Sequence, residues 1–285
     1  MHHDYDYRLI EDTLFVIVIY NCVITQSIAF QSLRKADALS HPKDVFIYDN
    51  SLSPQAVPSG NERIHYHHNP LNAGVSAAYN EGSRKAKQFH KKWLLLMDQD
   101  TDFPGNAWNK YEQGILNYPD KRVFVPTLID GHQIVSPFRL RWGKGIKIDN
   151  GQPGVHSFRH LCVINSGLLI SSELFEAAGG YDERFPLDFS DVIFIERLSA
   201  ITPEFIWINA TCIHSLSSQQ DKNATTSVVL NRFKKYSAAA ALLKKISRKK
   251  TLLSFILLPR AFKLGLMKKD FRFLSTALNV LMARS

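Results

Sequence analysis

Trp93-Leu94-Leu95-Leu96-Met97-Asp98-Gln99-Asp100-Thr101 is the stretch on which the reading of this chain turns. An unbroken apolar run followed at once by two acids describes a strand buried on both faces that ends at a polar edge. In extended backbone, positions i and i+2 project to the same side, so Asp98 and Asp100 leave the strand together. Two carboxylates ~5 Å apart repel by ~3 kcal/mol at an effective dielectric near 20. A hard divalent cation relieves that repulsion, and oxygen ligands suit Mg2+ or Mn2+. The alternative is an Asx-type turn with two solvated acids.

Upstream of this strand the chain alternates between β-rich and helical runs. Leu14-Phe15-Val16-Ile17-Val18-Ile19-Tyr20 has the continuous β-branched character of a second doubly buried strand. Helical composition follows from about Thr25 to Leu39 and is closed by His41-Pro42. Val45-Phe46-Ile47-Tyr48 forms a strand ending in Asp49-Asn50-Ser51, and Arg63–His67 forms another. Asn72-Ala73-Gly74 opens a helix through His90. Such alternation implies a parallel sheet covered on both faces, with ligands bound where the strand order reverses. Downstream, Val123-Phe124-Val125-Pro126, Cys162–Ile170 and Phe205–Asn209 read as strands, with Gly131–Gly154 as a Gly- and Arg-rich insertion. Ser172–Ala178, Asp191–Ala200 and Thr225–Lys250 read as helices.

Several residues at the ends of these elements can carry chemistry. Asp49 at a strand exit can accept hydrogen bonds from a ribose or base edge, or cap a turn. The Asn72-x-Gly74 helix start, with Asn80 and Gly82 further on, can attract an anion or simply serve as an N-cap. Asp49, the Asn72 loop and Asp98-Asp100 lie at three strand ends that face one crevice in a doubly wound sheet. Asp182, Glu183, Asp188 and Asp191 form an acidic cluster after Gly179-Gly180-Tyr181. A carboxylate there can act as a general base or complement the dipole of the following helix. His214 is open to reading as a metal ligand or a structural histidine.

Composition bounds the rest. Apolar residues make up 45% of the 285 and charged residues 21%, which excludes disorder, collagen and coiled coil as descriptions of the whole. No apolar run is long enough for a conventional membrane-spanning helix. Cys22, Cys162 and Cys212 are odd in number and far apart, which predicts reduced thiols rather than a disulfide or zinc frame. The opening Met1–Asp6 lacks the basic and apolar parts of a signal peptide, in keeping with a cytoplasmic chain. The +9 formal charge is concentrated in Asn231–Ser285, where 14 Lys or Arg face the single acid Asp270. That basic tail interleaves its charge with Leu252, Phe255, Phe262, Leu266, Phe271 and other apolar residues. The mixture suits an anionic membrane surface, or a helical pair packed on the main domain.

In their order and spacing these blocks resemble glycosyltransferase family 2, of the GT-A fold, over roughly residues 13 to 216. The residues that carry the likeness are Val16-Ile17-Val18-Ile19-Tyr20-Asn21, Tyr48-Asp49-Asn50-Ser51, Asn72–Gly82 and Leu94–Thr101. Asn165–Ser171, Gly179–Glu183 and Asp188-Phe189-Ser190-Asp191 complete it. The Asp98-Gln99-Asp100-Thr101 form is similar to that of rhamnosyltransferase-like members. The resemblance implies an α/β GT-A fold (Rossmann-like, with a mostly parallel central sheet) followed by a basic C-terminal helical segment. It implies a catalytic domain over 1–215, with a nucleotide part at about 13–104 and an acceptor part at about 105–215, and a helical region over 216–285.

Site roles follow from the same likeness. Tyr20, Asn21, Asp49, Asn72, Asn80 and Asp98 would bind the donor nucleotide. Asp98, Asp100 and His214 would hold Mn2+ or Mg2+. Asp191 would deprotonate the acceptor, with Asp188 and Asn165 on the acceptor side. The implied reaction inverts the anomeric carbon of a nucleoside-diphosphate sugar such as dTDP-rhamnose or a UDP-sugar. The acceptor would be a lipid-linked glycan of bacterial surface polysaccharide, with the enzyme peripheral at the inner face of the cytoplasmic membrane. Two positions depart from those relatives: Ile193 stands where an acid is common, and Pro186 interrupts an aromatic-aliphatic run. The competing readings are a non-catalytic sugar-nucleotide-binding scaffold and a sugar-phosphate nucleotidyltransferase. The latter needs a Gly-rich basic loop that Tyr20–Gln26 lacks. Nucleic acid is not an expected partner.

Overall fold

The computed structural model describes residues 8–35, 43–60, 63–214 and 224–283. They form two compact units, one running to Phe138 and resuming over Lys147–His214, the other combining Arg139–Ile146 with the C-terminal helices. In chain order the elements begin with α1 (Arg8–Glu11), β1 (Thr13–Ile19), a 3-10 turn (Ile24–Gln26), α2 (Ile28–Lys35), β2 (Asp44–Asp49) and β3 (Arg63–His68). They continue with α3 (Gly74–Gln88), β4 (Trp93–Asp98), β5 (Thr101–Asp102), α4 (Ala107–Asn117), β6 (Val123–Asp130) and β7 (Gln133–Ser136). Next come β8 (Arg139–Arg141) and β9 (Lys144–Ile146) of the second unit, then β10 (Gly154–Ser157), β11 (Leu169–Ser171), α5 (Ser172–Ala177), α6 (Ser190–Leu198) and β12 (Glu204–His214). The chain ends with α7 (Thr226–Ile246), α8 (Leu253–Lys268) and α9 (Arg272–Met282). The end of the helix read as far as Leu39 lies outside the described residues.

The first unit is built on a ten-stranded, mostly parallel sheet whose main path is β10-β12-β6-β11-β4-β1-β2-β3. Every residue of β1 and β2 is buried, as their unbroken apolar runs require. The chain lays down β1, β2 and β3 in one direction, then crosses back through α3 to place β4 on the other side of β1. The switch point therefore falls between β1 and β4, where a crevice opens beyond the strand ends. Register fixes what lines it: Val18 pairs with Asp98 on one side, and Ile19 with Asp49 on the other.

Two strand expectations are corrected. Cys162–Ile170 is not one strand. Cys162 makes an isolated bridge with Phe138, and only Leu169–Ser171 joins the sheet. Gly167 breaks the run at φ +81, in a turn where the Leu168 N–H donates to the Asn165 carbonyl at 3.0 Å and an added Cβ would meet Pro126 at 2.6 Å. The strand read as Phe205–Asn209 runs on through a register shift to His214 and pairs that residue with Thr101 on β5.

Pro186, a departure in sequence, has a structural task. Its carbonyl accepts the Val75 N–H at 2.7 Å at the start of α3, and the Ser76 hydroxyl donates to the Phe185 carbonyl at 2.5 Å. Gly74 sits in this contact at φ +86, where a Cβ would lie 2.1 Å from the Pro186 carbonyl oxygen. Gly74→Ala combines a left-handed backbone penalty with a collision against main chain. It is expected to destabilise the fold by about 2–4 kcal/mol, read as a lower urea midpoint at unchanged m-value.

In the second unit α7, α8 and α9 pack on one another, and β8 and β9 form a hairpin. Trp142 at its tip meets Phe255 edge-on at 4.6 Å, and the Leu252 N–H donates to the Trp142 carbonyl at 3.0 Å. Among the described residues no helix is long and apolar enough to cross a membrane.

Candidate active site

The β4 exit is held by its neighbours on every side. The buried Tyr79 hydroxyl of α3 donates to Asp98 Oδ1 at 2.6 Å, and the Asp98 N–H donates to Ser166 Oγ at 3.0 Å. The intervening Gln99 brackets the end of β1, accepting the Tyr20 N–H at 2.7 Å and donating to the Tyr20 carbonyl at 3.3 Å. Asp100 Oδ1 lies 3.5 Å from His214 Nδ1. The Thr101 hydroxyl bonds that same nitrogen at 2.7 Å and Ser166 Oγ at 2.7 Å. A polar chain thus runs from the Asp98 backbone through Ser166 and Thr101 to His214. Burial pushes the Asp100 carboxyl up to about 6, the Asp98 charge adds to this, and His214 pulls the other way.

Among the described residues, no three His, Cys, Asp or Glu side chains close around a single metal position. The donor chemistry nevertheless fits a divalent cation. Two carboxylates repelling each other at a strand exit, with an imidazole beside one of them, form an oxygen-rich set suited to Mn2+ or Mg2+.

The remaining donor-side residues divide sharply. Asp49 is fully buried and already satisfied. Its oxygens accept the Ser51 N–H at 2.8 Å, Gln55 Nε2 at 2.9 Å and the Tyr66 hydroxyl at 2.8 Å. It organises the 51–55 loop beside the end of β1. Gln55 also donates to the Cys22 carbonyl at 2.8 Å and accepts the Ile24 N–H at 3.0 Å, fastening that loop to the end of β1. Tyr20 and Asn21 are exposed at the crevice mouth, Asn21 in the left-handed region at φ +49 with its N–H on Ser51 Oγ at 2.9 Å. The Cys22 thiol is raised by burial and then by the charges of Asp100 and Asp49.

The first two N–H groups of α3 are already taken. Gly74 N–H donates to Asn50 Oδ1 at 3.3 Å, and Val75 N–H is taken by Pro186. Asn72 is exposed at φ +50. Asn80 is likewise committed elsewhere. It accepts the Tyr181 N–H at 2.8 Å and donates to the Tyr181 carbonyl at 3.0 Å and to Glu183 at 2.9 Å, clamping the turn after Gly180.

The acidic cluster splits in two. Asp182 is paired with Arg184 at 2.6 Å and Arg197 at 2.7 Å, and these cations hold its carboxyl low. Asp191 is different. The Phe189 residue before α6 takes φ +66, and Asp191 follows in the first helical turn with its Oδ1 accepting the Val192 N–H at 2.8 Å. The side chain is surrounded by protein yet keeps some access to solvent, as expected at the floor of a cleft. Burial pushes its carboxyl up to about 7, with the charges of Asp98 and Asp188 adding to it, against the pull of the Val192 N–H. A helix N-terminus ordinarily favours the ionised form, so desolvation prevails here. Asn165 accepts the Tyr181 hydroxyl at 2.8 Å, and Tyr181 stacks on Phe194 with centroids 4.2 Å apart. Ile193 is buried in the α6 packing, so its apolar nature answers to the core.

The crevice thus brings together Asp98, Asp100 and His214, with Asp191 within reach of the Asp98 charge and Asp188 within reach of Asp191. Tyr79, Ser166, Thr101, Gln55 and Tyr66 were missed by sequence reasoning. Tyr79, Thr101 and Ser166 lay inside motifs that could have signalled them; Gln55 and Tyr66 did not.

No family model matches the sequence, and no curated protein matches it. Solved structures do resemble its fold. TarS of S. aureus matches over 83% of this chain at 10% identity and TM-score 0.50, and the chain spans 44% of that protein's length. Residues 1–349 of TarS in complex with UDP-GlcNAc match over 96% of this chain and 73% of that one, at 9% identity and TM-score 0.50. A mannosyltransferase from Pyrobaculum calidifontis, in complex with GDP-Man and Mn2+, matches over 95% and 74% at 14% identity and TM-score 0.50. The architecture is the mixed α/β, largely parallel sheet found in glycosyltransferase structures, and at these identities the likeness is one of fold.

Proposed function

We propose that this chain is an inverting glycosyltransferase that moves a sugar from a nucleoside-diphosphate donor, dTDP-rhamnose or a UDP-sugar, to a hydroxyl of a lipid-linked glycan in bacterial surface polysaccharide synthesis. The observation that carries the reading is electrostatic. Burial raises the carboxyls of Asp100, at the strand exit, and of Asp191, at a helix start far along the chain, and the one charge of Asp98 adds to both. Acids are costly to gather this way unless a ligand or a proton transfer uses them.

In this assignment Tyr20 and Asn21 flank the nucleoside at the crevice mouth, above the loop that Asp49 braces. Asp98 and Asp100, with His214 beside them, would hold Mn2+ or Mg2+, whose chemistry is to neutralise charge developing on the departing diphosphate. Asp191 accepts the acceptor hydroxyl's proton as that oxygen bonds the anomeric carbon. The bond from carbon to diphosphate oxygen breaks with its electron pair on the leaving group, and the configuration inverts. Asp188 and Asn165 border the acceptor side. The enzyme works at the inner face of the cytoplasmic membrane, where a lipid-linked acceptor resides.

The test is thermal unfolding against a panel of UDP-, dTDP- and GDP-sugars with Mn2+. A true donor is expected to raise the midpoint by several degrees, since ligand at a hundred times its Kd adds about 2.7 kcal/mol. No shift with any nucleotide sugar overturns the proposal.

A further inference from the structure

A helix needs one apolar face to join a core, and α8 has two. Leu253, Leu257, Ala261 and Leu264 are buried along one side. Phe255, Phe262 and Leu266 are exposed, and at about 100° per residue they line a stripe roughly 180° away. Phe262 and Leu266 expose 64% and 65% of their surfaces, far more than a core contact would leave. The pattern continues past the turn at Lys269. Phe271 is 88% exposed, and Leu274, Leu278 and Met282 recur every fourth residue on α9, away from the buried Phe273 and Ala277. Isolated exposed apolar residues need no explanation, but seven along one helical hairpin do.

The charge around that stripe says what covers it. Lys234, Lys235, Lys244, Lys245, Lys263 and Lys269 are exposed in the same unit. Arg139, Arg141 and Lys144 of the β8–β9 hairpin add further exposed cations and no acid. Asp270, the only acid after residue 230, is neutralised by Arg272 at 2.7 Å. Apolar stripes in a unit this rich in exposed cations match the two layers of an anionic bilayer surface, phosphate outside and acyl chain beneath. A protein partner covering them would have to supply both a greasy groove and a dense acidic rim.

We propose that the α8–α9 hairpin is a monotopic membrane anchor, with Phe255, Phe262, Leu266, Leu274, Leu278 and Met282 entering the acyl boundary of an anionic leaflet. This rests on the membrane-side placement proposed above for its partner, and on α8 and α9 alone for its residues. The experiment is vesicle flotation of the full chain. Phosphatidylcholine vesicles are compared with vesicles containing about 30% phosphatidylglycerol, at about 0.1 M and about 1 M salt. Anionic vesicles are expected to bind at least about tenfold better than neutral ones at low salt, with a residue of binding surviving high salt. Phe262→Ser with Leu266→Ser is expected to abolish the salt-resistant fraction. The unfolding midpoint should hold, because both side chains already face water.

Equal binding by the double variant overturns the anchor. So does retention of RNA in place of vesicles, or a dimer of the parent that the double variant dissolves. Donor-induced stabilisation of the same variants is read in parallel. Its absence in parent and variant alike, with flotation intact, refutes the transferase reading and leaves the anchor standing.

Discussion

Asp191→Asn is expected to lower the transfer rate by about 10²–10⁴-fold while leaving donor-induced stabilisation intact, because the change removes a proton acceptor and not a phosphate contact. The pH dependence sharpens the test. With the Asp191 carboxyl at about 7, the ionised, proton-accepting form is the minority below neutrality. The parent kcat/KM is expected to rise about tenfold per pH unit up to about 7 and then level off. The residual activity of Asp191→Asn should lack that limb.

Stability must move in the opposite sense. The unfolded carboxyl titrates at about 4, so between about 4 and about 7 the folded state binds the extra proton. Asp191 therefore costs the fold progressively more as pH rises through that window. Asp191→Asn is expected to raise the unfolding midpoint clearly at pH 8 and little at pH 4. A variant that loses activity and stability together at pH 8 would make Asp191 a structural residue. If Asp188→Asn is the inactive variant instead, the base sits one turn earlier.

How much of this was legible in the sequence follows from where each residue finds its partners. The β1–β4 half could be read because each doubly buried strand is a contiguous apolar run and each exit is marked by Asp or Asn. The strand order then brings Asp49 and Asp98 to either side of β1 by register alone. What could not be read depended on distant partners. The partners of Asp49 were not legible because Tyr66 lies on the next strand and Gln55 within a featureless loop. The clamp of Asn80 on Tyr181 was not legible because it spans a hundred residues. Cys162–Ile170 looked extended because its composition is apolar, yet Gly167 turns the chain and so delivers Ser166 to Asp98. Pro186 looked like an interruption and is the carbonyl on which α3 starts.

Asp100→Ala is expected to separate a ligand-binding carboxylate from a structural one. Asp100 shares a strand exit with Asp98, and its like charge is opposed only in part by His214 at 3.5 Å. Removing it relieves repulsion in the ligand-free protein, so the unfolding midpoint should stay the same or rise, as commonly happens when a residue kept for function is lost. Transfer should fall by at least about 10²-fold, and the extra stabilisation that Mn2+ brings to donor binding should disappear. Asp49→Ala is the contrasting case. It removes the acceptor of the buried Ser51 N–H, at about 1–3 kcal/mol, and those of the half-buried Gln55 and Tyr66, so its midpoint should drop. The two aspartates bracket the same β1 strand end, so opposite thermal shifts would arise from what each carboxylate already binds. Should Asp100→Ala unfold as early as Asp49→Ala, or keep its manganese-dependent stabilisation, the strand exit is a structural turn and the donor site lies elsewhere.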